Sequence, residues 1–300
     1  MTHPLAGSAD GPRLALTGVP RGGTTLACRI LDQCADTVAL FEPMPVNELP
    51  AADPTAAVAA VSQFFESTRR QLLDDGTAVG KHRGGALPDN PFSSERNSAG
   101  RRRLQVSRGV IEIGRPASRF TLVVKHNAAF TALLPELAAA LPTLAVVRNP
   151  LSVLASWNSV DLPVGRGRLP AGERLCPALA RVLGATPDLL ERQLEILGWF
   201  FGRFREALPP ERVLRYEDIV ASQGALLRER AGLVGSYDQP LSERNASADY
   251  VGADVERFAS ALVGRAECWR PWYGEEDVVG LVERLRVLSG AGGGMGRGRG

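Results

Sequence analysis

Arg13-Leu-Ala-Leu-Thr-Gly18-Val-Pro-Arg21-Gly-Gly-Thr-Thr-Leu26 is the stretch that decides the architecture. Arg13–Thr17 reads as a buried strand interrupted at Gly18. Thr24–Cys34 reads as a helix with Leu26, Ile30 and Leu31 on one face. A Gly-rich turn between a strand and a helix lets the backbone wrap an anion, and the helix N-terminus adds unpaired N–H groups and a favourable dipole. Gly18, Gly23 and Thr25 match the ATP-binding spacing G-x-x-x-x-G-K-[ST], but Thr24 stands where lysine belongs. The basic residue lies inside the loop instead, at Arg21. A ligand-free turn is the weaker reading, because the two threonines, Arg21 and the flanking strand and helix all agree on an anion.

Outward from this loop, the chain alternates strand-like and helical stretches. Thr37–Phe41, Phe120–Lys125, Thr143–Val147 and Val213–Tyr216 are short apolar runs. Helical spacing covers 57–73, Phe130 to Leu141, Leu151–Ser156 and, most clearly, Pro187–Leu208. Such alternation predicts an α/β fold with a central parallel sheet flanked by helices on both faces. Residues 75–118, rich in Gly, Pro, Asn, Ser and Arg, show little periodicity and read as a long loop or lid insertion. One domain is expected over 1–289, followed by a disordered Gly/Arg tail at 290–300.

The apolar share of 44% and net charge of +2 are those of an ordinary globular protein. No global basic field or interleaving of basic and aromatic residues points to nucleic acid. Residues 1–12 lack the n- and h-regions of a signal peptide, and no apolar run has the length of a membrane span. A cytoplasmic protein is expected. Cys28, Cys34, Cys176 and Cys268 lack metal-ligand spacing, and no metal site is expected. Lys81 and Lys125 are the only lysines, each directly before a histidine (His82, His126). Lys81–Arg83 and Arg101–Arg103 read as solvated charge on the long loop, or alternatively as a lid facing an anionic or polyhydroxyl acceptor.

Pro20-Arg-Gly-Gly-Thr-Thr-Leu26 resembles the 5′-phosphosulfate loop, P-[KR]-S-G-T-T, of sulfotransferases that use 3′-phosphoadenosine 5′-phosphosulfate (PAPS). Gly22 replaces the usual serine. Arg148 at a strand end, with Ser156 eight residues on, resembles that family's 3′-phosphate element. Phe41-Glu-Pro-Met44 looks like the "EP" segment of its carbohydrate-type members, where the glutamate is the proposed base. Val124-Lys-His-Asn127 and Arg215-Tyr-Glu-Asp218 resemble two further family segments. The resemblance spans roughly 13–220 and implies a P-loop-type three-layer fold.

It also implies a donor site of Arg21, Gly22, Gly23, Thr24, Thr25, Leu26, Arg148 and Ser156, with Arg21 and Lys125 neutralising charge on the leaving oxygen. Glu42 is the first choice of base and His126 the second. The expected acceptor is a hydroxyl of a sugar, polyol or other small metabolite. A late basic segment often clamps the 3′-phosphate in this family, and Arg265 and Arg270 beside Trp269, Trp272 and Tyr273 are the weak candidates here. The rival readings are a kinase or NTPase using Mg·ATP and a non-catalytic nucleotide-binding protein. The first lacks both the loop lysine and an acidic end to Thr143–Val147, where Arg148 stands.

Overall fold

Strands buried on both faces read as continuous apolar runs, because neither side meets water. In the computed structural model, which describes residues 11–88, 90–98, 100–247, 250 and 254–293, five such runs build the central sheet. β1 (Arg13–Gly18) turns into α1 (Thr24–Asp32), and β2 (Thr37–Phe41) follows. α2 (Pro54–Asp75) is started by Asp53, whose side chain accepts the Ala56 amide, and is closed by Gly76 in the left-handed region. Next come β3 (Thr77–His82), β4 (Phe92–Arg96), β5 (Arg102–Leu104) and β6 (Ser107–Glu112). β7 (Thr121–Lys125), α3 (Ala128–Ala132), α4 (Leu134–Ala140), β8 (Thr143–Val147) and α5 (Pro150–Ser159) complete the middle of the chain. α6 (Pro170–Leu175), α7 (Pro177–Ala185), α8 (Leu189–Ala207), β9 (Val213–Arg215), α9 (Tyr216–Ala221), α10 (Ala225–Ala231), α11 (Val255–Val263) and α12 (Glu275–Gly293) follow.

The sheet order is β2-β7-β1-β8-β9, with every pairing parallel. Side chains alternate between two cores. Leu14, Leu16, Val123 and Val146 pack against α1, α9 and α10, while Ala15, Leu40, Val124 and Val147 face α2, α4 and α8. The result is the expected three-layer α/β arrangement. The register pairs Leu16 and Phe41 with Lys125, Gly18 with Val146, and Val147 with Arg215. The carboxyl ends of all five strands therefore share one edge. The chain leaves β1 for β2 on one side and later crosses from β7 to β8 on the other, which opens a crevice at that edge.

Three expectations change. Residues 75–118 are not a featureless loop: β3 and β6 form one antiparallel ribbon, and β4 and β5 form a second nested inside it. The stripe from Phe130 to Leu141 is two helices broken at Leu133, just before Pro135, whose ring nitrogen cannot donate to a helical ladder. The Gly/Arg tail does not begin at Gly290, since α12 runs to Gly293; residues 294–300 lie outside those described. Among the described residues, no helix is long and apolar enough to cross a membrane.

Candidate active site

The β1–α1 loop is tight because its neighbours leave no room for side chains. The Gly22 amide donates to the Val19 carbonyl at 2.8 Å, and a Cβ on Gly22 would sit 2.8 Å from that same oxygen. That contact accounts for glycine where the resemblance expects serine. Gly23 has φ +91°, and a Cβ there would meet the Tyr216 ring at 2.6 Å. Arg21 is itself in the left-handed region at φ 68°, uncommon for a residue with a side chain. α1 starts at Thr24, so its first amides, beyond reach of helical carbonyls, face the cradle.

Side chains from α5 lock this loop to the helix that follows β8. Arg21 Nε donates to Ser156 Oγ at 2.9 Å, and Trp157 Nε1 donates to the Pro20 carbonyl at 2.8 Å. Arg148, immediately after β8, donates to the Arg21 carbonyl at 3.2 Å, the Arg244 carbonyl at 2.6 Å and Asn245 Oδ1 at 2.7 Å. Its guanidinium lies 4.6 Å from the centre of the Tyr216 ring. Glu217 fixes this corner by accepting from the Asn149 amide, Asn245 Nδ2 and the Tyr273 hydroxyl. Tyr250, 3% exposed, borders the same end of the cavity. Burial raises its pKa, but the Arg148 charge, hydrogen bonds with Ser156 and Ser152, and the Arg21 charge bring it below the usual phenol value.

A charged cluster stands at the tips of β2 and β7, along the same cavity. Glu42 has φ 47° and its amide donates to the Lys125 carbonyl at 2.9 Å, which aims its carboxylate back over the sheet edge. Lys125 Nζ donates to Glu42 Oε1 at 2.8 Å and Lys81 Nζ to Oε2 at 2.5 Å. The Phe41 ring underlies both ammonium groups. Burial alone would raise the Glu42 pKa, yet the charges of Lys125, Lys81 and His126 outweigh it and hold the carboxyl far below the usual range. Lys125 is 1% exposed; burial pushes its pKa down against the opposing pull of Glu42.

His126 is brought near this cluster but not into the cavity. It is 4% exposed, its ring stands edge-on to Phe130, and its Nε2 accepts the Met44 amide proton at 3.1 Å. Burial presses its pKa down to about 3 despite the charge of Glu42, so it is neutral at physiological pH and spends its acceptor nitrogen on the backbone. The two candidate bases are thereby separated: Glu42 lines the cavity, and His126 holds the turn behind it.

Arg21, Gly23, Thr24, Thr25, Leu26, Glu42, Lys125 and Arg148 all line one cavity of about 480 Å³. Ser156 reaches it through Arg21, and Gly22 lies within the turn. Lys81, read either as solvated charge or as part of a lid facing the acceptor, lines the cavity and completes the Glu42 cluster. Arg265 is bound to Glu191 and Glu195, and Trp269 is wholly buried, so the late basic segment belongs to the packing of α8. Arg244 and Tyr250 line the cavity instead, with Asn245 bonded to Arg148 behind them, and nothing in their spacing announces them.

No family model matches the chain, and no curated protein matches it.

Proposed function

We propose that the chain is a sulfotransferase that moves the sulfuryl group of PAPS to an acceptor hydroxyl. The observation that carries this is the convergence, at one end of a single cavity, of two anion-binding elements far apart in sequence. Arg21 meets Ser156, and Arg148 meets the Arg21 carbonyl. The Glu42–Lys125 pair lines the same cavity. The glycine cradle, the opening amides of α1 and three arginines (Arg21, Arg148 and Arg244) suit a ligand with phosphate groups at two positions.

In this reading the acceptor oxygen attacks sulfur in line, and the bond from sulfur to the phosphate oxygen breaks. The electron pair of that bond stays on the departing 3′,5′-bisphosphate, where Arg21 and the α1 amides neutralise it. Glu42 receives the hydroxyl proton. A carboxylate clamped by two ammonium groups is a weak base, so the transfer comes late, after the forming O–S bond has made that proton strongly acidic. Lys125 and Lys81 hold the carboxylate in place, and Lys81, the more exposed of the two, adds positive charge near the transferring sulfuryl group.

Calorimetric titration with 3′-phosphoadenosine 5′-phosphate, set against Mg·ATP, tests the donor site. The 3′-phosphorylated nucleotide should bind, and Ser156→Ala and Arg148→Ala should weaken it about tenfold or more. Preference for Mg·ATP would move the kinase reading ahead. Glu42→Gln should then bind nucleotide normally while losing transfer.

A further inference from the structure

The acceptor half of the cavity is built from three segments that converge on Glu42. α6 packs beside α3, which follows Lys125, and Arg174 on α6 donates to the carbonyls of Val46 and Leu49, just beyond Glu42. Leu169 and Ala171, at the start of this helix, line the same cavity as the charged cluster. The chain leaving α5 adds Leu162 and Val164. The nested β4–β5 ribbon closes over the top with Phe92 and Leu104; the Asp161 amide ties it down by donating to the Arg102 carbonyl at 3.0 Å. Phe92 also stacks on the Arg21 guanidinium at 4.5 Å, so this wall abuts the transfer point.

Beside the Lys81–Glu42–Lys125 cluster, the polar residues on this side are Asn90, Arg102 and Asn127, set among Phe92, Leu104, Leu162, Val164, Leu169 and several prolines. The Asn90 side chain accepts the Phe92 amide within its own turn, and the Arg102 backbone is tied to 160–161. Asn127 borders the cavity two residues after Lys125, and its buried Oδ1 has no hydrogen-bond partner. Leu104, by contrast, is 41% exposed at the rim, apolar area left open toward the cavity. A sugar buried here would leave several hydroxyls unpaired. A ligand whose one hydroxyl donates to Glu42 would not.

Building on the sulfotransferase reading, we infer that the acceptor is an alcohol or phenol with a single reacting hydroxyl and an apolar body, lying against Phe92, Leu104, Leu162, Val164 and Leu169. This replaces the sugar or polyol that the "EP" segment suggests. The specificity residue accessible to test is Leu104, whose exposure makes substitution harmless to the fold.

The experiment measures PAPS-dependent transfer to 1-naphthol, 1-octanol and N-acetylglucosamine, with nucleotide affinity measured separately on the same samples. The apolar acceptors should show kcat/KM at least tenfold above the sugar. Leu104→Ser should raise KM for 1-naphthol about tenfold at unchanged kcat and unchanged nucleotide affinity, and Leu104→Met should restore it. Transfer to the sugar in preference, or a Leu104→Ser enzyme with unaltered KM, overturns the acceptor assignment while nucleotide binding keeps the donor site intact. Failure to bind the 3′-phosphorylated nucleotide at all overturns the sulfotransferase reading, and this inference with it.

Discussion

Replacing Glu42 with glutamine keeps the shape of the side chain and removes its charge, which isolates what holds the Glu42–Lys125–Lys81 cluster together. At an effective dielectric of about 20, unit charges about 4 Å apart attract by about 4 kcal/mol, and Glu42 has two ammonium groups within that range. The two differ in what they regain. Lys81 is partly exposed and recovers water, so its loss is worth about 0.5 kcal/mol. Lys125 is sealed in, and stranding a buried charge costs about 3–5 kcal/mol. Glu42→Gln should therefore destabilise the fold by about 4 kcal/mol at pH 7. Lys125→Met removes the stranded ammonium, so the double variant should recover most of that loss, giving a coupling of about 3 kcal/mol. Urea unfolding of the four proteins measures it. The pH dependence adds a sign. Glu42 titrates below its usual 4.5 in the fold, so its contribution is complete above pH 4.5 and drains away as the pH falls below that value. The gap between wild type and Glu42→Gln should narrow in acid. A cost under about 1 kcal/mol, or a double variant no better than the sum of its parts, would refute the coupled cluster.

Two shorter predictions follow from neighbouring residues. Gly23→Ala forces a side chain into a left-handed conformation and against the Tyr216 ring, so it should cost about 2 kcal/mol in urea unfolding and abolish nucleotide binding in the same samples. His126 is neutral in the fold, with its pKa moved from 6.5 to about 3, so its contribution is full above pH 6.5 and lost as the pH drops toward 3. His126→Gln should flatten the stability profile between pH 6.5 and 4.5, where wild type loses up to about 1.4 kcal/mol per pH unit; identical slopes would show that the histidine does not titrate there.

What could be read in advance, and what could not, follows from how each residue reaches the site. Gly18, Phe41, Lys125, Val147 and Arg215 end strands of one parallel sheet, and parallel topology carries all such ends to a single edge. A chemically distinctive residue just past an apolar run, such as Glu42 or Arg148, is therefore placed once the runs are recognised. Lys81 arrives differently. It lies on an antiparallel ribbon of which few side chains are buried, so no alternation marks its strands, and its approach to Glu42 depends on the β3–β6 register and on Gly80 passing close to Phe41. Arg244 and Asn245 lie in an irregular segment whose position is set by side-chain bonds to Arg148 and Glu217, which no local pattern encodes. The same reasoning explains why Arg265 and Trp269 mislead: a basic and aromatic cluster reads alike whether it clamps a phosphate or pins two helices, and only the glutamates on α8 decide. The part of the cavity that lies at strand ends is thus legible. The part of the cavity around Phe92, Leu104, Leu162 and Leu169 comes largely from ribbon, loop and short helix, so its apolar lining is not announced by any local pattern such as the "EP" segment.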